Sequence, residues 1–162
     1  MTVKSRLLEI LEKQKGETLS GEKLAEELQC TRAAIWKAVK SLREEGYMIE
    51  AGQNKGYMLM KANDRLSVEA IRPFLLFPDV YIKVYQEVDS TNRAAKAAAI
   101  GGEAGHGSFV LAGSQTEGRG RRGRSFYSPQ DAGIYLSVIL EPKGNLQESL
   151  LLTAEAAVAV YK

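Results

Sequence analysis

Gly118-Arg119-Gly120-Arg121-Arg122-Gly123-Arg124 constrains this chain more than any other segment. Four arginines within six residues repel one another and cannot be buried without partners, and the interleaved glycines are costly to order in regular structure. The run must therefore be a loop. Its flanks, Ser108-Phe109-Val110-Leu111-Ala112 before it and Ile134 to Leu140 after it, are rich in strand-forming residues. An arginine-rich loop inside a strand-loop-strand unit differs from the low-complexity tails that usually carry such tracts. It reads as a lid over a small anionic ligand, because guanidinium groups grip phosphate and carboxylate through paired hydrogen bonds. Such a lid is expected to order around its ligand.

The surrounding segment mixes strands and helices, which suggests an α+β or α/β domain. Ser67 starts a short helix that ends before Pro73. Val80 to Glu87 alternates like a strand. Asp89-Ser90-Thr91-Asn92 leads into an alanine-rich helix that stops at Gly101-Gly102, and a further helix starts near Asn145 or Gln147 and runs to the end. Asp89 to Asn92 has two readings, a helix N-cap or a set of small polar groups at a strand end suited to a polar heteroatom ring. Gln115, at the mouth of the arginine loop, adds an amide. His106 sits in a glycine-rich turn and reads as a surface residue.

The first 60 residues follow a different grammar. Leu7, Leu8 and Leu11 mark one helix between Thr2 and Lys15. Ser20 caps a second, with Leu24, Ala25 and Leu28 on one face. Thr31 caps a third, in which Ile35, Ala38, Val39 and Leu42 recur at i, i+3, i+4, i+7. Gly46 closes it. Tyr47-Met48-Ile49-Glu50 and Tyr57-Met58-Leu59-Met60 then flank Gln53-Asn54-Lys55-Gly56 as a hairpin. Three helices and a hairpin describe a winged helix-turn-helix. At about 100° per residue, Arg32, Ala33, Trp36, Lys37 and Lys40 fill an arc separate from the apolar one. A helix that packs on its own domain and enters a DNA major groove needs two such faces. Lys55, at the hairpin tip, is placed to reach the flanking backbone. The net charge is only +2, so DNA binding must come from this local cluster. Residues 61–66 are polar and read as a linker, which divides the chain into a winged helix-turn-helix at 1–61 and a second domain at 67–162.

One cysteine and one histidine argue against a disulfide or a metal site built on them. No apolar run is long enough to span a bilayer and no signal peptide is evident, so a cytoplasmic protein without membrane partners is expected.

Taken together, Ser90-Thr91-Asn92, a strand ending in Gln115, Gly118 to Arg124 with Phe126 and Ser128-Pro129 after it, and Gly133-Ile134-Tyr135-Leu136-Ser137 resemble the biotin protein ligases. Ser20-Gly21-Glu22, Thr31-Arg32-Ala33-Ala34-Ile35 and Lys55-Gly56-Tyr57 resemble the helix-turn-helix and wing of the bifunctional members. The resemblance implies an α+β architecture, a winged helix-turn-helix followed by part of a mixed-sheet, class II synthetase-like ligase domain. It implies ATP-dependent activation of biotin to biotinoyl-5′-AMP, usually with Mg²⁺. Transfer to a lysine of a biotin carboxyl carrier domain follows, together with repression through operator DNA by a ligand-dependent homodimer. By the same resemblance, Ser90, Thr91, Asn92, Gln115, Arg119, Gly120 and Arg121 hold biotin, and Arg119 and Arg121 also serve the chemistry. Two other readings stay open: a biotin-sensing transcription factor without catalysis, and a relative of the lipoate-attaching enzymes. The family's Lys-Trp-Pro segment does not occur in the sequence, and Trp36 is its one tryptophan. The chain is therefore expected to be the N-terminal part of such a ligase, with little ligase activity alone.

Overall fold

The structure, a computed structural model, describes residues 2–52, 55–130, 132–141 and 146–161, with side chains except at 121, 146–150, 153 and 160. The chain forms two compact units, 1–79 and 80–162.

In the first unit α1 (Val3–Lys13), α2 (Gly21–Glu27) and α3 (Arg32–Glu44) precede a two-stranded hairpin, β1 (Ile49–Gly52) and β2 (Gly56–Leu59). Each helix starts where a hydroxyl relieves an unpaired backbone N–H. Thr2 accepts from Ser5, Ser20 from Glu22 and Thr31 from Ala34. Between α2 and α3, Gln29 takes a left-handed turn, φ 52°. The core is the predicted apolar set, Leu7, Leu8, Leu11, Leu24, Ala25, Leu28, Ile35, Ala38, Val39 and Leu42, joined by Tyr47, Ile49 and Leu59. Each large aliphatic side chain buried there contributes about 1.5–3 kcal/mol. Gly46, φ 90°, ends α3, and the Tyr47 N–H returns to the Leu42 carbonyl at 3.0 Å.

The hairpin is antiparallel, with Ile49 opposite Leu59 and Gly52 opposite Gly56. It begins two residues later than expected, because Tyr47 is taken up in closing α3. Leu19 pairs with Tyr57 through two 2.8 Å backbone hydrogen bonds. Gly56 is needed for this fit: its φ is 85°, and a Cβ there would lie 2.2 Å from the Leu19 carbonyl oxygen. Of the predicted hairpin turn, Gln53 and Asn54 lie outside the described residues.

The polar stretch at 61–66, expected to be a linker, is packed instead. Asn63 is 2 % exposed, and its Oδ1 accepts from the Met48 N–H at 3.1 Å. The Arg65 guanidinium lies 5.2 Å from the Tyr47 ring. A short helix α4 (Val68–Ile71), capped by Ser67, and a 3-10 turn over Arg72–Phe74 then pack on α1, with Arg72 Nε 3.8 Å from Glu9 Oε1. The compact unit thus runs to Asp79 rather than ending near residue 61. Long-range partners hold this polar stretch, and composition does not reveal them.

The second unit carries a three-stranded sheet in the order β3-β4-β5 (Ile82–Val88, Phe109–Gln115, Tyr135–Val138). β3 and β4 are parallel, with Ile82 opposite Phe109 and Val88 opposite Gln115. Parallel neighbours need a crossover, and α5 (Thr91–Ile100) supplies it. β5 returns antiparallel to β4, with Ser137 opposite Val110. Ala95, Ala98, Val110, Leu111 and Ala112 are buried, while Leu136 and Val138 are exposed. α6 (Leu146–Tyr161) follows; Asn145, one of its two predicted starts, lies outside the described residues. No helix among the described residues is long and apolar enough to cross a membrane.

Candidate functional site

The topology brings two distant segments to one end of the sheet. β3 ends at Val88 and β4 at Gln115, side by side. The crevice beyond the carboxyl ends of parallel strands is where α/β sheets bind ligands. Asp89 to Asn92 leaves β3 there, and the arginine segment leaves β4.

Of the Asp89 to Asn92 segment, Ser90 takes the N-cap position of α5, but its side chain makes no capping bond. The helix is capped from a different strand. Gln115 Oε1 accepts from the Thr91 N–H at 2.8 Å and from Thr91 Oγ1 at 3.1 Å. Gln115 Nε2 donates to Ser128 Oγ at 3.1 Å, and Ser128 donates to the Phe126 carbonyl at 3.1 Å. Ser137 Oγ lies 2.8 Å from Thr91 Oγ1 and 2.9 Å from the Asn92 amide. Ser90, Thr91, Ser128 and Ser137 are all buried, so their hydroxyls require partners. Thr91, Asn92 and Gln115 are thus joined in one hydrogen-bond network. Ser90 adjoins it, its N–H donating to Asp89 Oδ1 at 2.6 Å.

The arginine segment is a closed hairpin. The Phe126 N–H donates to the Gly118 carbonyl and the Gly120 N–H to the Arg124 carbonyl, both at 2.8 Å. Arg122 (φ 57°) and Gly123 (φ 75°) turn the chain. Arg119, Arg122 and Arg124 are exposed. The side chain of Arg121 lies outside the described residues. The closest backbone approach falls at Gly118, where a Cβ would lie 2.4 Å from the Phe126 carbonyl oxygen and 2.5 Å from Ser128 Oγ; at Gly120 the nearest atom is 3.3 Å away. A cavity of about 390 Å³ lies at the root of this hairpin, lined in part by Gln115, Gly118, Phe126 and Ser128.

Arg93 fastens the hairpin to α5. It reaches Asp89 at 2.5 Å and Glu117 at 2.6 Å, and the Glu117 N–H donates to the Asp89 carbonyl at 2.8 Å. The Glu117 carboxylate first, then Asp89, raises the Arg93 guanidinium above its ordinary pKa. Sequence reasoning missed Arg93, Glu117, Ser128 and Ser137 as site residues. The i, i+4 spacing of Asp89 and Arg93 was the one local signal.

In the first unit, α3 turns Arg32, Ala33, Trp36, Lys37 and Lys40 outward, and Trp36 is 55 % exposed. Lys40 Nζ lies 5.7 Å from the Trp36 ring centroid and 3.9 Å from Glu44. Lys55 is exposed at the hairpin tip. A basic face carrying one exposed aromatic is suited to a phosphate backbone and the base edges beside it.

A helix-turn-helix domain model matches residues 3–58, and the model of the biotin/lipoate A/B protein ligase family matches residues 84–161. The bifunctional ligase/repressor BirA of Bacillus spizizenii is 39 % identical over 163 residues, covering 99 % of this chain and 50 % of that protein. Its Bacillus subtilis counterpart is 38 % identical with the same coverage. The Escherichia coli protein of that name is 36 % identical over 137 residues, 85 % of this chain and 41 % of its own. The chain spans about half the length of the Bacillus relatives it matches.

Proposed function

The chain belongs to the biotin protein ligase family, in the form that carries an N-terminal helix-turn-helix, and on that premise we propose that it is the DNA-binding and biotin-binding portion of a bifunctional ligase and repressor. The ligase joins biotin to ATP as biotinoyl-5′-AMP and passes the biotinoyl group to a lysine of a carrier-protein domain. The first unit, residues 1–79, binds operator DNA through its helix-turn-helix and hairpin, and residues 80–162 contribute to the ligase domain. The protein works in the cytoplasm.

The observation that carries this reading is the network joining Thr91, Asn92 and Gln115 at the root of an exposed arginine hairpin. Ser90, Thr91, Asn92 and Gln115 offer donors and acceptors to the polar ring of biotin. Bringing a carboxylate against a polyphosphate is opposed by charge repulsion. Arg119 and Arg121, with Gly120 between them, oppose it electrostatically and shield the adenylate from water. Among the described residues no group of three or more His, Cys, Asp or Glu comes together to hold a metal ion. Mg²⁺ bound to the ATP phosphates would offset the same repulsion. On the DNA side, Arg32, Ala33, Trp36, Lys37, Lys40 and Lys55 form the contact surface. Ligand-linked dimerisation couples the two activities.

The test is to mix the full-length protein with labelled biotin, ATP and a carrier domain. Label on the carrier lysine is expected. Biotin binding without adenylate would replace the ligase with a non-catalytic sensor. Transfer of lipoate in place of biotin would move the protein to the lipoate branch.

A further inference from the structure

We propose that Ser137 is a positioning residue of the ligand site. In this proposal the Asn92 amide donates into Ser137, so that Asn92 turns its carbonyl oxygen outward to meet an N–H donor of the ligand. The inference rests on the reading above of Ser90 to Asn92 and Gln115 as ligand-binding residues.

Ser137 is mid-strand in β5, between the exposed Leu136 and Val138, and is itself 7 % exposed. Its side chain thus points to the α5 side of the sheet, where an apolar residue would pack without needing a partner. Its hydroxyl instead meets two consecutive residues of the first turn of α5.

Counting protons fixes the direction of the bonds. Three short contacts converge: Ser137 to Thr91 at 2.8 Å, Ser137 to the Asn92 amide at 2.9 Å, and Thr91 Oγ1 to Gln115 Oε1 at 3.1 Å. The two hydroxyls hold one proton each. Gln115 Oε1 has none to give, and its orientation is fixed because the Thr91 backbone N–H also donates to it. The Asn92 atom nearest Ser137 is Oδ1, which would leave three contacts sharing two protons. A half-turn of that amide brings Nδ2 to Ser137 and supplies the third.

The bonds then run one way. Asn92 Nδ2 donates to Ser137, Ser137 to Thr91, Thr91 to Gln115, Gln115 Nε2 to Ser128, and Ser128 to the Phe126 carbonyl. The relay ends on the backbone of the arginine hairpin. Its other end, Asn92, is exposed and keeps one acceptor, Oδ1, unused among the described residues. A cyclic urea or lactam N–H satisfies that acceptor; a ligand edge with acceptors alone does not.

Two measurements on the full chain test this. The first uses no ligand: the side-chain NH₂ resonances of Asn92 and Gln115 in ¹⁵N-labelled protein. Ser137→Ala is expected to shift both, and Ser137→Thr, which keeps the hydroxyl, to return the Gln115 pair toward its wild-type position. A Gln115 pair unmoved by Ser137→Ala would overturn the relay. The second is biotin calorimetry on Ser137→Ala, Thr91→Val and the double variant. Ser137→Ala alone should weaken binding about tenfold, one neutral hydrogen bond's worth. On top of Thr91→Val it should cost less than about twofold, because the two act through one chain. Independent, additive losses would remove the positioning role. Failure of the wild type to bind biotin would overturn the ligand assignment, and the resonance experiment would still decide the relay.

Discussion

Arg93 Nη2 donates to Glu117 Oε2 across 2.6 Å, so the first turn of α5 holds the residue that precedes the arginine hairpin. The pair is solvent-exposed, and water screens such pairs so that they add little to stability. Its consequence is therefore placement rather than stability. Arg93→Met is expected to leave the unfolding midpoint nearly unchanged while weakening biotin binding several-fold, with Glu117→Gln giving a similar loss. Losses that add in the double variant would show that the two residues do not act as a pair.

Gly118→Ala tests the root of the hairpin directly. A Cβ there would fall 2.4 Å from the Phe126 carbonyl oxygen, so the backbone at Phe126 must move. A cost of about 1–3 kcal/mol is expected. Hydrogen exchange of the Phe126 amide, now bonded to the Gly118 carbonyl, should speed up. Unchanged protection would mean that the hairpin tolerates a side chain at its base.

The proposed DNA-contact surface carries a salt signature. Each phosphate neutralised adds about 0.9 to the slope of log affinity against log salt for duplex DNA. Lys37→Ala and Lys55→Ala are each expected to lower that slope by about one. Trp36→Ala should weaken binding and leave the slope as it was. Anisotropy titrations of a labelled duplex at several salt concentrations distinguish these outcomes. Slopes that ignore both lysines would move the contact surface elsewhere.

Asn63→Ala removes the acceptor of a part-buried backbone N–H, that of Met48. An unsatisfied buried donor costs about 1–3 kcal/mol. The loss should appear in urea unfolding followed by helical circular dichroism. A variant as stable as wild type would make the strap at 61–66 incidental.

Glu45 gives the first unit a pH dependence. The Lys4 ammonium, hydrogen-bonded to it at 2.7 Å, holds its carboxyl below the ordinary value of 4.5; desolvation works against this, and Ser41 and Arg65 add to the lowering. The folded carboxyl therefore binds its proton more weakly than the unfolded one. The stability it contributes is complete above the unfolded value and disappears as pH falls through the folded value. Lys4→Met should flatten the acid limb of stability against pH, by less than about 1 kcal/mol for an exposed pair. Superimposable acid limbs would show that the pair contributes nothing.

Much of this was legible in the sequence, for identifiable reasons. α3 announced both its faces because a 3.6-residue period separates Ile35 and Leu42 from Arg32 and Trp36 without any tertiary knowledge. Ser20, Thr31 and Gly46 act within a few residues of themselves, so their roles can be read locally. Asn63, Arg72 and Ser137 cannot be read this way, because each has a partner on a distant segment: Met48, Glu9 and Thr91. Alternation along β5 indicates which face is covered and does not indicate what the covered hydroxyl meets. The candidate site was legible only as a set of residue types, Thr91, Asn92, Gln115 and the arginines. The order in which they are bonded was not.

The parallel pairing of β3 with β4 also sorts the connections of the second unit. Residues 89–92 and 116–134 leave the strands at one end, while the return from α5 to β4, Gly101 to Ser108, crosses at the other. That return carries exposed Gly102 and Gly105 and none of the candidate ligand residues. Ala104 and Ser108 are buried and the Gly107 N–H donates to the Ile139 carbonyl, so chain length can vary at the exposed Gly101 to Glu103 stretch while the pocket end keeps its register, which makes that stretch the natural place to graft a tag or a reporter.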